Sequence, residues 1–151
     1  MEPLFIVNDI IIAASPAAVW DALVNPEQTK KYMFGCETVS DWKVGSPLLW
    51  KMEYEGKDLV AVKGDIVAYE PEHLLSYTVI DPNSEITDLP ENYLTVTYQL
   101  RSVGAETKLT VTQGDYSKVS DGERRYQGSY NNGEGWNPIL IQIKDIIENN
   151  A

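Results

Sequence analysis

Apolar and polar residues alternate with a period of two through the middle of the chain. In "LLWKMEYEGKDLVAVKGDIVAYEP", Leu48, Trp50, Met52 and Tyr54 fall on one side, with Lys51, Glu53 and Glu55 on the other. That is the signature of a half-buried antiparallel strand. "EGKD" at 55–58 supplies a turn, and the next strand runs as far as Pro71. In "HLLSYTVI", Leu75, Tyr77 and Val79 share a face, and a polar loop with two prolines (81–91) follows. "YLTVTYQLRS" then sets Leu94, Val96, Tyr98 and Leu100 against Thr95, Thr97 and Gln99. Gly104 marks a hairpin, after which Leu109 and Val111 share a face of "TKLTVTQGDY". Consecutive strands joined by short turns pair antiparallel most simply.

Both ends of the chain read differently. "LFIVNDIIIAA" (4–14), rich in β-branched residues, predicts a first strand. "SPAAVWDALVNPEQTKKYMFG" (15–35) predicts two short helices in succession. Ser15-Pro16 opens one and Asn25-Pro26 the other, since Ser and Asn accept from free helical N–H groups and Pro is tolerated at the first helical position. Gln28 stands where it would complete a capping box. Each helix has about two turns, too few to stand alone in water. "CETVSDWKVGSP" reads as a short strand and a turn. Beyond Ser120 the period becomes helical: Trp136, Ile139, Leu140, Ile143 and Ile147 form one stripe about 100° wide. A short helical or irregular approach should lead to a firm helix over 135–148, with Pro138 in its first turn.

Strand, two short helices, a run of strands and one closing helix make an α+β domain spanning residues 1–151. Its curved antiparallel sheet has six to seven strands, and the long C-terminal helix must lie across the apolar face. One helix does not fill a curved sheet from end to end, so a cavity is expected between them. An empty one of ~300 Å³ would cost about 7 kcal/mol, so the interior either collapses on its aromatics or is filled. The two short helices close one end of the roll and support the long helix.

Composition narrows the partners. The chain carries 23 acidic against 12 basic residues, a net charge of −11, which argues against nucleic acid and anionic membranes. Cys36 is the only cysteine, so no intrachain disulfide forms, and it reads as a small buried hydrophobe. The start "MEPLFIVNDIIIAAS" lacks the pattern of a signal peptide, and no stretch nears the ~20 apolar residues of a membrane span. A cytoplasmic protein is expected.

Four segments together resemble one family. "SPAAVWDALVNPEQTKKYMFG" is similar to the opening signature of the bacterial family related to the activator of the heat-shock chaperone ATPase. "VKGDIVAYEPEHLLSYTV" resembles its central pattern, "LTVTYQLRSVGAETKLTVTQGDY" its penultimate hairpin, and "GEGWNPILIQIKDIIE" its closing helix. The family lies within the START and birch-pollen-allergen-like superfamily, so the resemblance implies the helix-grip fold. It also implies a choice of roles, since the superfamily includes lipid carriers, hormone binders, cyclases, aromatases and cochaperones. Fold does not decide among them. Cochaperones of this kind carry a separate N-terminal chaperone-binding domain, to which nothing here corresponds, so a chaperone is the less expected partner.

The chain has nine Tyr against two Phe, and a buried Tyr needs a partner for its hydroxyl. Tyr54, Tyr77 and Tyr98 fall on the apolar faces of three strands, while Tyr126 and Tyr130 lie four apart before the last helix. With Trp50, Met52, Val96, Gln113 and Trp136 they are the candidate lining of a cavity with apolar walls and few polar tips. Each also has a plainer reading as core or strand residue, with Gln113 capping its strand. No catalytic residue, metal site or cofactor is indicated: His73 is the only histidine and sits at a turn, and no nucleophile motif appears. Asp65, Glu70 and Glu53 would serve as acids only if buried. The reading is therefore binding of a small hydrophobic or aromatic molecule. The alternatives are a cyclase or hydrolase in the same cavity, or a cochaperone-like interaction module, and the oligomeric state is open.

Overall fold

The computed structural model describes residues 2–130 and 133–149. Seven strands, β1 (Ile6–Ile12), β2 (Glu37–Ser40), β3 (Pro47–Tyr54), β4 (Lys57–Glu70), β5 (Leu74–Val79), β6 (Leu94–Val103) and β7 (Glu106–Gly114), form one antiparallel sheet. Their order is β1-β7-β6-β5-β4-β3-β2. Only the return of β1 onto β7 is non-local. The alternation read from the sequence holds through β6, where Leu94, Val96, Tyr98 and Leu100 are buried.

The sheet bends where its register breaks. Opposite Trp50 and Lys51 the pairing jumps from Val62 to Val60, leaving Ala61 as an extra residue in β4. Further along, Gly64 lies so close to the next strand that a Cβ there would stand 1.6 Å from the Thr78 carbonyl oxygen. Only glycine permits that approach.

The helices α1 (Pro16–Val24) and α2 (Pro26–Tyr32) follow β1 as expected. Ser15 Oγ accepts from the Ala18 N–H, and Asn25 Oδ1 accepts from the Glu27 N–H. The capping box is not completed. The Asn25 N–H already donates to Asp21 O at the end of α1, so no free donor remains, and Gln28 bonds Lys31 instead. Tyr32 is buried between the two helices and donates to Ala22 O at 2.6 Å.

The approach to the last helix is itself a helix, α3 (Gly122–Tyr130), largely polar and with only Gly122 buried. The closing helix α4 (Asn137–Asn149) starts two residues later than expected, with Pro138 in its first turn. Asn8 of β1 fastens that start, its Oδ1 accepting the Trp136 N–H at 2.9 Å. Leu140 and Ile143 are fully buried, and α4 rests on β1, α1 and α2. This is the helix-grip arrangement, with the short helices supporting the long one. Among the described residues no helix is long and apolar enough to cross a membrane.

Candidate functional site

Between the sheet and the start of α4 lies a pocket of about 520 Å³. β3 contributes Trp50 and Met52, β5 Tyr77 and Val79, and β6 Val96. Gln113 closes the far side from β7, and Trp136 and Ile139 form the roof. The bulge in β4 turns two consecutive residues, Ala61 and Val62, toward this space. A regular strand would present only one of them. Met33, Phe34 and Cys36, from the turn after α2, complete one rim, and Gly128 and Ser129 of α3 the other. Phe34 (76 % exposed) and Gly128 are the solvent-exposed lining residues and mark the mouth. Phe34 has a φ of 54°, a left-handed conformation unusual for a bulky side chain.

Among the described residues, none that lines the pocket carries a formal charge at neutral pH. Burial raises the Cys36 thiol pKa above its usual range. Burial likewise pushes the Tyr77 and Tyr98 phenols well up, so both remain neutral hydroxyls. Their oxygens lie 2.9 Å apart in a fully buried hydrogen bond. A hydroxyl pair uses one proton in that bond and leaves the second for another acceptor. Gln113 Oε1 accepts from the Trp136 indole N–H at 2.9 Å. The Gln113 amide nitrogen has no partner among the described residues, so the pocket wall offers a neutral donor.

Aromatic contacts run through the site without a break. Trp50 packs on Tyr77 (ring centroids 6.0 Å apart), Tyr77 on Tyr98 (5.8 Å), and Tyr98 edge-on to Trp136 (5.9 Å). Such contacts fix ring orientation beyond what area burial alone would do.

The sequence-derived candidates divide into three groups. Trp50, Met52, Tyr77, Val96, Gln113 and Trp136 converge on the pocket. Tyr98 is fully buried behind it and touches Tyr77 and Trp136. Tyr54, Tyr126 and Tyr130 lie outside it. Tyr54 does share the face of Trp50, but at the hairpin tip, where it is 59 % exposed. Tyr126 packs edge-on to Tyr116 and stacks on Tyr130, a separate aromatic group beneath α3. Alternation had no means of finding the rim of Met33 and Phe34, which belongs to a turn, or the doubled Ala61–Val62 wall. His73, Asp65, Glu70 and Glu53 are all exposed. Among the described residues no group of three His, Cys, Asp or Glu side chains could hold a metal ion.

A sequence profile described as "Activator of Hsp90 ATPase homolog 1-like protein" matches residues 13–148. No curated protein matches the chain. Among solved structures, a protein from Cytophaga hutchinsonii is 37% identical with a TM-score of 0.77, covering 99% of this chain and 98% of its own. The Aha1 dimer from Colwellia psychrerythraea is 20% identical (TM-score 0.68, 96% of each chain). An HSP90 activator from Plasmodium falciparum is 17% identical (TM-score 0.67, 97% of this chain and 96% of its own). At that identity the last two show a shared fold alone.

Proposed function

The chain belongs to the family of activator of Hsp90 ATPase homolog 1-like proteins, and from that premise we propose that it binds a small apolar or aromatic molecule between sheet and α4. One observation carries the reading: the uncharged pocket of about 520 Å³, walled by Trp50, Tyr77, Val96 and Trp136. Its volume falls in the range of small-molecule sites, and its few polar groups are the kind that orient a ligand rather than react with it. Burial of ligand surface against the rings supplies affinity at ~25 cal/mol per Å² before ordering costs. The Gln113 amide and the spare proton of the tyrosine pair set orientation. Among the described residues the wall has neither a nucleophile–base pair nor a buried acid, which favours binding over turnover.

Intact mass of the protein purified from its own cells, first under native and then under denaturing conditions, tests this. A non-covalent adduct lost on unfolding is expected, and Val96→Trp, which fills the pocket, should abolish it. An adduct equally present in Val96→Trp would refute the pocket as its seat. The family description supports a second reading, in which an outer surface stimulates a chaperone ATPase. That reading expects Val96→Trp to stimulate as well as the natural chain does.

A further inference from the structure

Next to the main pocket lies a second recess of about 290 Å³. The two share Gly128 and Ser129 of α3 as a common wall. They also share strands. Val79 pairs with Leu94, and Val96 with Tyr77; the main pocket uses Val79 and Val96, and the recess uses Asp81 and Leu94. Leu94 lies two residues from Val96 on the same face of β6 and Asp81 follows the end of β5, so the recess continues the pocket by roughly 6.6 Å.

The chemistry changes over that short distance. Arg124 and Arg125 line the recess, whereas nothing charged lines the pocket. Arg124 is exposed and pairs with Asp121. Arg125 is different. It is half-buried, and its Nη1 donates to Asn92 O (3.0 Å) and Ser120 O (3.3 Å), which holds the guanidinium in place. Among the described residues its guanidinium makes no direct ion pair, the nearby Asp121 carboxylate being paired with Arg124, and no acceptor meets its other N–H groups. In a chain with 23 acidic side chains, a partly desolvated cation without a direct ion pair is costly unless something else supplies one. Desolvation indeed lowers the Arg125 pKa. Asp81 also lines the recess, but among the described residues it makes no ion pair with either arginine, and its Oδ1 accepts from the Asn83 N–H.

A second observation points to the same place. Tyr116 Oη is the one buried side-chain polar atom without a hydrogen-bond partner among the described residues. Tyr116 is fully buried; burial raises its phenol pKa, and interactions with the Ser129 hydroxyl and the Arg125 guanidinium oppose that rise. Ser129 belongs to both cavities.

We propose that the recess takes the carboxylate of a molecule whose apolar body fills the main pocket, so that the ligand is an amphipathic acid anchored by Arg125. Ser129 stands at the junction, and Tyr116 completes its hydrogen bonding through the Ser129–Arg125 cluster once an anion is present. The net negative field of the protein repels free anions, so a carboxylate preference would report a specific contact. This inference rests on the reading of the pocket as a binding site.

The test uses a matched pair of probes, decanoate and decan-1-ol, each titrated at pH 8 against N-phenyl-1-naphthylamine, a neutral dye that fluoresces in apolar pockets. The full chain should bind decanoate at least about tenfold tighter than decanol, the scale of one charge-assisted contact. Arg125→Gln should bring the ratio to about one, and Arg125→Lys should keep most of it. Circular dichroism establishes that both variants are folded, and Tyr116→Phe, which leaves the guanidinium anchored, is a further variant expected to shrink the ratio. Dye and decanol bound without a carboxylate preference would overturn the anionic recess and leave the pocket intact. If neither dye nor decanol binds, the pocket reading itself fails, and this inference with it.

Discussion

Tyr77 and Tyr98 bury two hydroxyls against each other, so removing either one strands the other. Tyr98→Phe should cost about 1–2 kcal/mol, the scale of an unsatisfied buried hydroxyl. Tyr77→Phe/Tyr98→Phe together should cost less than the sum of the single changes. Urea unfolding of the three variants measures both. The same phenols set an alkaline limit. Burial raises the pKa of Tyr32, Tyr77 and Tyr98 in the folded state. Stability from them is complete below the unfolded value of about 10 and is lost as pH rises through the folded values. The melting temperature should therefore fall above about pH 10, and less steeply in the double Phe variant. At this scale the sequence was partly legible. Tyr77 and Tyr98 were marked by their strand faces, but Tyr54, with the same credentials, stands at a hairpin tip. Alternation reports which side a residue faces and says nothing of how far the neighbouring layer extends.

Two glycines separate space from conformation at the level of the elements. Gly64→Ala would place a methyl group against the Thr78 carbonyl where β4 bends onto β5. A loss of more than about 3 kcal/mol, or failure to fold, is expected. Gly128→Ala meets nothing within 4 Å in the polar helix α3, so it should stabilise by about 0.5–1 kcal/mol. Thermal unfolding of the pair decides. Asn8→Ala, which releases the Trp136 N–H at the head of α4, should cost about 1 kcal/mol. The elements themselves were legible because period two and period 3.6 leave distinct traces in β3, β6 and α4. The register break at Ala61 was not, since a bulge inserts a residue without changing composition. Nor was the unused capping box: its failure depends on α1 ending on the Asn25 N–H, a junction between elements that neither helix shows alone.

The whole molecule has an acid limit as well as an alkaline one. Hydrogen bonds from Ser117 and the Leu4 N–H hold Asp115 below its ordinary value. Lys63 and Tyr93 do the same for Asp88, and the Ala13 N–H and Lys144 for Glu148. Groups depressed in this way add stability above their unfolded values, near pH 4, and lose it as pH falls through the folded ones. Melting temperature should thus hold from pH 7 to about pH 5 and decline below. Asp115→Asn should make that decline shallower. Asp115 and Glu148 share a structural task, since each ties a distant segment to the start of the chain, Asp115 at Leu4 and Glu148 at Ala13. The place of the pocket followed from one helix crossing a long sheet, whereas its rim and the recess beside it depend on α3, whose polar sequence has no apolar stripe to give it a position. The aromatic chain from Trp50 to Trp136 also gives the protein an optical property. Of its four tryptophans, two form opposite walls of the pocket, while Trp20 and Trp42 flank Tyr69 away from it. A ligand bound as proposed would touch one pair of indoles only. Emission from that pair should then shift in colour while the other stays constant, which would make the unlabelled protein both a sensor and its internal standard.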